Sequence, residues 1–248
     1  MEATLFSGGY PRIYDEGLSP SEWLADYFQT YVEKDLRTNL KVSNLLQFER
    51  FVKVLAGRTG QLVNYSSFEN DVGITHPTAA AWLNILDSSF ITFRLAPHFK
   101  NFSKRIIKSP KHYFWDTGLL CHLLQIRNPE QLSNHPLKGQ VFENWIVAEA
   151  FKSFYWRGET PPLYFWRDQH GHEIDLIADC STHLRPIKIK LSRTFNPAFC
   201  KQIDWFNQLQ NREDGLIVFG GDEGFDFKKL NVLPWKRAFS LYDWVLHS

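Results

Sequence analysis

The chain has 248 residues, of which 44% are hydrophobic and 16% aromatic, so its composition excludes a disordered protein and supports one large core or two smaller ones. Its 28 Lys and Arg residues against 27 Asp and Glu give a net charge of +1, which excludes a general attraction to nucleic acid or to an anionic membrane. Three cysteines without CxxC spacing argue against a disulfide framework or a zinc site, and no apolar run approaches a membrane span, so we expect a cytoplasmic protein.

The first half of the chain is predicted to be helical. Residues 1–17 carry no helix or strand signal of their own, whereas Ser19 and Pro20 are typical of a helix start. The elements predicted after that helix are a helix over 44–58, a short helix from Ser66, a tight turn at 73–74, a helix from Thr75 to Ser89, and strands within 91–99 and 111–118. This order is typical of a winged helix-turn-helix.

The pattern changes after Gly139, where one long helix precedes a series of strands. The predicted elements are a helix over 141–156, strands over 163–167, 174–179 and 185–191, a helix over 197–210 and a strand over 215–219. Strands separated by a helix indicate a mixed α/β domain. We therefore predict an N-terminal segment and helix over 1–40, a winged helix over 41–135 and an α/β domain over 136–248.

Charged side chains recur on the elements around residue 175. Glu173 and Asp175 are two residues apart on one strand, and Lys188 and Lys190 are two apart on the next, so each pair projects from one face of its strand. Glu143 lies on the apolar stripe of the long helix, where a carboxylate needs a partner. We expect these groups to converge at one edge of the sheet.

Two hypotheses follow from this arrangement. Carboxylates of Glu143, Glu173 and Asp175 could hold Mg²⁺, which would activate water while Lys190 stabilises the developing negative charge. Many metal-dependent nucleases carry an acid on one strand, and an acid and a lysine two residues apart on the next. Here Lys188 stands in the position of the second acid, and an ammonium beside Asp175 competes with a metal ion for the same oxygens. The sequence therefore favours a degenerate site or a buried ion-pair network over an active one.

A basic stretch without acids lies between His98 and His112. In a winged helix it would form the hairpin beside the recognition helix, where its side chains and that of Thr78 could contact phosphates. Its basic residues are Lys100, Lys104, Arg105, Lys108 and Lys111. Lysines aimed at phosphates predict weak DNA binding without base specificity. The alternative, that the wing packs on the α/β domain and its lysines are only solvated, stays open.

Several segments resemble the C-terminal half of bacterial and archaeal AAA-type ATPases that carry domain of unknown function 4143. They include GGYP near the start, YFQTYVEKDL, LAGRTGQLVNYSSFENDVGITHPTAAAWLNILDSSFI, KSPKHYFWDTGLL, KGQVFENWIVAE and FWRDQHGHEIDLIAD. The resemblance implies a second half of the PD-(D/E)XK restriction-endonuclease-like fold, whose motif maps onto Glu143, Asp175, Lys188 and Lys190. The usual ending of that motif is Ile-Glu-Val-Lys, and here it departs at Lys188.

The resemblance also implies an ATPase module, in the same chain or in a partner, but no GxxxxGK[ST] loop occurs in these residues and so no ATP-binding residue is assigned. The sequence thus predicts a DNA-binding or substrate-docking module of an AAA-type ATPase, with a degenerate nuclease-like site. An active Mg²⁺-dependent DNA endonuclease and a protein-interaction scaffold that binds no nucleic acid are the two alternatives.

Overall fold

The computed structural model describes residues 1–31, 44–98 and 109–247, which form a mixed α/β protein, as predicted. The chain divides into two compact units. The first comprises Met1–Arg94 and His112–Trp145, and the second comprises Leu95–Lys111 and Ile146–Ser248. Along the described residues, no helix combines the length and apolar character needed to cross a membrane.

Helices dominate the chain up to residue 155. Its elements are α1 (Glu2–Ser7), α2 (Pro11–Asp15), α3 (Pro20–Thr30), α4 (Leu45–Ala56), α5 (Ser67–Val72), α6 (His76–Ser88), β1 (Thr92–Leu95), β2 (Lys111–Phe114), α7 (Thr117–Leu123), α8 (Pro129–Ser133) and α9 (Lys138–Tyr155). Strands β1 and β2 form a two-stranded sheet. The predicted helices around residues 20–30, 45–56, 67–72 and 76–88 and both predicted strands are confirmed.

Helices α4 and α6 form where local signals and burial agree. The Asn44 side chain accepts a hydrogen bond from the Gln47 backbone N–H at the start of α4, and this cap satisfies a donor that the helix leaves free. Phe48 and Phe51 of α4 are fully buried and meet the Trp82 ring of α6 edge-on, at 5.3 and 5.6 Å between centroids. Such aromatic pairs stabilise the core beyond their buried area.

The N-terminal residues differ from the prediction. Residues 1–17 were expected to lack regular structure, but they contain α1 and α2. The reason is tertiary, because Leu5 and Phe6 are buried and the Asp116 carboxylate accepts a hydrogen bond from the Gly9 backbone N–H at 2.7 Å. Such long-range contacts stabilise short helices that local propensity does not.

The second unit is built on a six-stranded mixed sheet. Its strands are β3 (Leu163–Arg167), β4 (Glu173–Asp179), β5 (Leu184–Lys190), β6 (Gly215–Phe219), β7 (Phe225–Phe227) and β8 (Leu230–Pro234), in the spatial order β3-β4-β5-β6-β8-β7. A 3₁₀ turn (Pro197–Cys200) and α10 (Lys201–Gln210) connect β5 to β6, and a 3₁₀ segment (Trp235–Ser240) leads into α11 (Leu241–His247). Strands β7 and β8 and helix α11 were not predicted.

The sheet brings the predicted nuclease-like strands together. Strands β3, β4 and β5 are antiparallel neighbours, whereas β5, β6 and β8 run parallel. Asp175 on β4 and Lys190 on β5 therefore lie on neighbouring strands of one sheet, as predicted. The outer edge of β3 is covered, since the backbone of Phe165 exchanges hydrogen bonds with Ala96 and His98 at 3.0 and 2.8 Å.

Candidate functional site

A buried ion pair lies between β4 and β5. Leu176 is paired with Ile187, a register that sets Asp175 beside Lys188. Lys188 Nζ donates to Asp175 Oδ1 at 2.6 Å, and the side chains are only 4% and 10% exposed. The other carboxylate oxygen, Oδ2, accepts the Ile189 backbone N–H at 2.7 Å. Both oxygens of the central acid are thus bound to donors of the neighbouring strand.

The Lys188 ammonium has a second acceptor in the same strand. Nζ donates to the backbone carbonyl oxygen of Glu173 at 3.1 Å, so one cation bridges the main chain and a side chain of β4. A buried ammonium is stable only when its donors are paired. This geometry fixes the Lys188 side chain beside Asp175, in the position that the sequence interpretation assigned to a carboxylate.

Glu173 is held by two further cations. Its Oε1 accepts from Lys111 Nζ at 2.6 Å, and its Oε2 lies 3.4 Å from Arg167 Nη1. The Lys111 side chain is 4% exposed and its ammonium lies 5.5 Å from the Phe165 ring centre. Lys111, which was predicted to contact phosphates, is therefore buried on Glu173.

The cluster formed by Lys111, Arg167, Glu173, Asp175 and Lys188 carries three cationic groups and two carboxylates. We call it the β4–β5 charge cluster. A divalent cation seeking oxygen ligands here would have to displace an ammonium already bound to each carboxylate. Among the residues described, no group of three or more His, Cys, Asp or Glu side chains is arranged to hold a metal ion.

Glu143, the remaining predicted ligand, belongs to the first unit. Its Oε1 accepts a hydrogen bond from the Tyr113 hydroxyl at 2.7 Å. Lys190, the predicted catalytic lysine, is half-buried at the end of β5, with its ammonium 5.9 Å from the centre of the Phe199 ring. The predicted union of Glu143, Glu173 and Asp175 around Mg²⁺ stays a prediction.

Most of the predicted nucleic-acid contacts cannot be compared with the structure, because Lys100, Lys104, Arg105 and Lys108 lie outside the described residues. Thr78 is half-buried in the first turn of α6, and its hydroxyl lies 2.9 Å from that of Thr75, the residue that caps this helix.

Two known family models match the chain. The model of a family described as "Domain of unknown function (DUF8612)" matches residues 1–130. The chain belongs to the DUF8612 family. A second model, "Domain of unknown function (DUF4143)", matches residues 138–238, which contain the β4–β5 charge cluster except Lys111.

The DUF8612 chain is also similar to two mycobacterial proteins. They are uncharacterized protein Mb2031c of Mycobacterium bovis and uncharacterized protein Rv2008c of Mycobacterium tuberculosis. Each is 29% identical over 198 residues, which are 79% of this chain and 44% of the relative. The chain thus spans less than half of the curated relatives it matches. No solved structure matches it.

A polar turn of the DUF8612 chain, between β3 and β4, contains Asp168, His170 and His172. The Asp168 carboxylate accepts the backbone N–H groups of His170 and His172 and lies 2.9 Å from His172 Nδ1. Burial raises the pKa of Asp168, but the hydrogen bonds from His172 and from the backbone outweigh it, so its pKa lies below the ordinary value.

Sequence reasoning missed the contact between Lys111 and Glu173. The two residues are 62 positions apart, and Lys111 was grouped with the basic stretch that precedes it. A signal was present, since Lys111 begins the apolar strand KHYF, whose residues are all buried. A lysine in such a strand needs a buried acid as its partner.

Proposed function

We propose that this chain is a DNA-docking module of a larger protein, with a nuclease-like site that binds no metal and cuts no DNA. The observation that carries the absence of metal binding and cleavage is the ion pair between Lys188 and Asp175, in which both oxygens of the acid are bound to donors of β5. A nuclease site needs free carboxylate oxygens for its metal ion. Here an ammonium supplies the positive charge instead.

The nuclease-like fold assignment belongs to this proposal. It is supported by the order of β3, β4, β5 and β6 in one sheet, with an acid on β4 and two lysines on β5. A winged helix in the first half is supported by the succession of α4, α5, α6 and the paired strands β1 and β2. In a fold of that type, the connection between β1 and β2 is the wing that contacts the DNA backbone.

The larger protein is proposed to contribute an AAA-type ATPase module, in the same chain or as a partner. The support is that the relatives are more than twice as long as the segment they share with this chain. Docking of this chain to DNA would place the ATPase on its DNA substrate, and the ATPase module would perform the mechanical or remodelling step. ATP would bind there, and Mg²⁺ would act there with the nucleotide.

The absence of cleavage can be tested with plasmid DNA in the presence of Mg²⁺ or Mn²⁺. We expect no cutting above background by the unmodified protein. The Lys188→Glu variant restores a carboxylate and should bind Mn²⁺ at least about tenfold more tightly, because a negative charge replaces a positive one beside Asp175. Lys188→Gln is the matched control, since it removes the ammonium without adding a ligand. Metal-dependent cutting by the unmodified protein that disappears in Asp175→Ala would overturn the proposal.

DNA docking can be tested separately, by fluorescence anisotropy with a labelled duplex over a series of salt concentrations. Reversing the charges of Lys104 and Arg105 to Glu should weaken binding and flatten its salt dependence by about two counterions. The control reverses Lys228 and Lys229, two exposed lysines that do not belong to the basic stretch. Unchanged affinity in the Lys104/Arg105 variant would exclude the wing from the DNA interface. Failure of the unmodified protein to bind DNA would favour the alternative of a protein-interaction scaffold.

A further inference from the structure

A groove of about 460 Å³ runs along α3 in the first unit, and α2 and the turn after it form its other wall. Its lining extends along α3 from Ser19 to Thr30. Eleven helical steps correspond to about 16 Å, the length of about five residues of extended chain. The groove is therefore long enough for a short peptide segment.

One side of the groove is aromatic and internally braced. The rings of Trp23 and Tyr27, one helical turn apart on α3, are stacked at 5.2 Å with an angle of 11° between their planes. The Tyr10 ring contacts both of them, with centroids 4.9 Å from each. Three mutually packed rings lose little freedom when a ligand binds, because their positions are already fixed. Trp23 and Tyr27 are nevertheless only half-buried.

The rest of the lining is acidic. The groove contains the carboxylates of Glu16, Glu22 and Asp26 against the single guanidinium of Arg12. Arg12 is bound to Glu16 at 2.7 Å. Glu22 and Asp26 are exposed one turn apart on α3, and within the described part of the chain neither forms an ion pair. The groove therefore carries two carboxylates that no described cation neutralises, beside the half-buried rings of Trp23 and Tyr27.

We propose that this groove is a docking site for a basic peptide segment of a protein partner, in which arginine side chains contact Trp23 and Tyr27 and pair with Glu22 and Asp26. A guanidinium suits the site because it binds carboxylates through two N–H groups and also stacks on aromatic faces. The same carboxylates repel phosphate, so this surface is distinct from the proposed DNA-docking surface. The two proposals can therefore be tested independently of each other.

The test uses a fluorescein-labelled peptide, about five residues long, in which Arg and Gly alternate, and measures its affinity by fluorescence anisotropy. Peptides of equal length in which Lys or Glu replaces Arg serve for comparison. We expect the full chain to bind the Arg peptide most tightly, the Lys peptide several-fold more weakly and the Glu peptide not at all. The double variant Glu22→Gln/Asp26→Asn removes both charges while keeping the helix, and it should weaken Arg-peptide binding by about tenfold or more.

The matched control is Glu69→Gln/Glu130→Gln, which removes two exposed acids from α5 and α8 of the same unit and should change the affinity less than about twofold. A third variant, Trp23→Leu, should reduce the preference for the Arg peptide over the Lys peptide. Circular dichroism of each variant confirms that it is folded. Equal loss of binding in the acid variant and in its control would show that only net charge matters and would overturn the proposal, as would unchanged binding in the acid variant.

Discussion

Replacement of Lys188 by Met tests whether the ion pair holds the sheet together. Met fills a similar volume but leaves Asp175 buried without its cationic donor, and it also removes the donor to the Glu173 carbonyl oxygen. Both hydrogen bonds are donated by the charged ammonium, and loss of a hydrogen bond to a charged group costs about 1.5–3 kcal/mol. We therefore expect the free energy of unfolding of the second unit to fall by about 3–5 kcal/mol, the range known for broken buried ion pairs.

The second substitution in this test is Asp175→Asn. In the double variant Lys188→Met/Asp175→Asn no charge is left unpaired, and the Asn oxygen can still accept the Ile189 N–H. We expect the double variant to recover more than half of the lost stability, which a double-mutant cycle would show as a coupling energy of about 2 kcal/mol.

Urea unfolding followed by hydrogen exchange of peptides from β4 and β5 would measure the effect on this unit alone. Lys190→Met, at a half-buried position of the same strand, is the control and should cost much less. A loss below about 1 kcal/mol in Lys188→Met, or a double variant no more stable than the single one, would refute the reasoning.

Two further predictions concern the first unit. Burial lowers the pKa of His112 from 6.5 to about 4, so the free energy of unfolding should fall by about 3 kcal/mol as the pH drops from above 6.5 to 4. Urea unfolding over this pH range should show a smaller fall in His112→Gln, and an equal fall would show that His112 is not the group responsible. Gly8→Ala should lower the stability by more than about 2 kcal/mol, because φ is +70° and a Cβ atom would lie 2.3 Å from Asp116 Oδ1. Gly17→Ala, with φ of +64° and open space around it, should cost about 1 kcal/mol in thermal melts, and equal losses of stability in the two variants would exclude the steric cause.

Elements with strong local signals could be predicted from the sequence. The helix of Phe48, Phe51 and Leu55 was found because its apolar residues recur at helical spacing, and β3 to β6 were found because runs such as LYFWR and GLIVF are short and rich in apolar residues. The order of Glu173, Asp175, Lys188 and Lys190 predicted neighbouring strands, which the sheet confirms.

Elements that depend on distant contacts could not be predicted. Helix α1 is stabilised by burial of Leu5 and Phe6, and strand β7 is a three-residue edge strand with exposed Phe225, so neither carries a periodic pattern of its own. The Lys111–Glu173 contact joins residues far apart in the chain, and no spacing rule links them. The placement of Lys188 beside Asp175 was anticipated because Lys188 stands in the position of the second acid, and the register of β4 and β5 sets the two residues opposite each other.

The cation beside Asp175 belongs to the polypeptide itself. A metal ion at such a carboxylate exchanges with solvent, so its occupancy follows the free concentration of the ion and falls when a chelator is added. The Lys188 ammonium is attached through its own side chain to a central strand, and the neighbouring strand holds it at two points. In the proposed metal-free site, the charge balance of this part of the sheet would consequently be set when the chain folds and not by the supply of divalent ions around the protein.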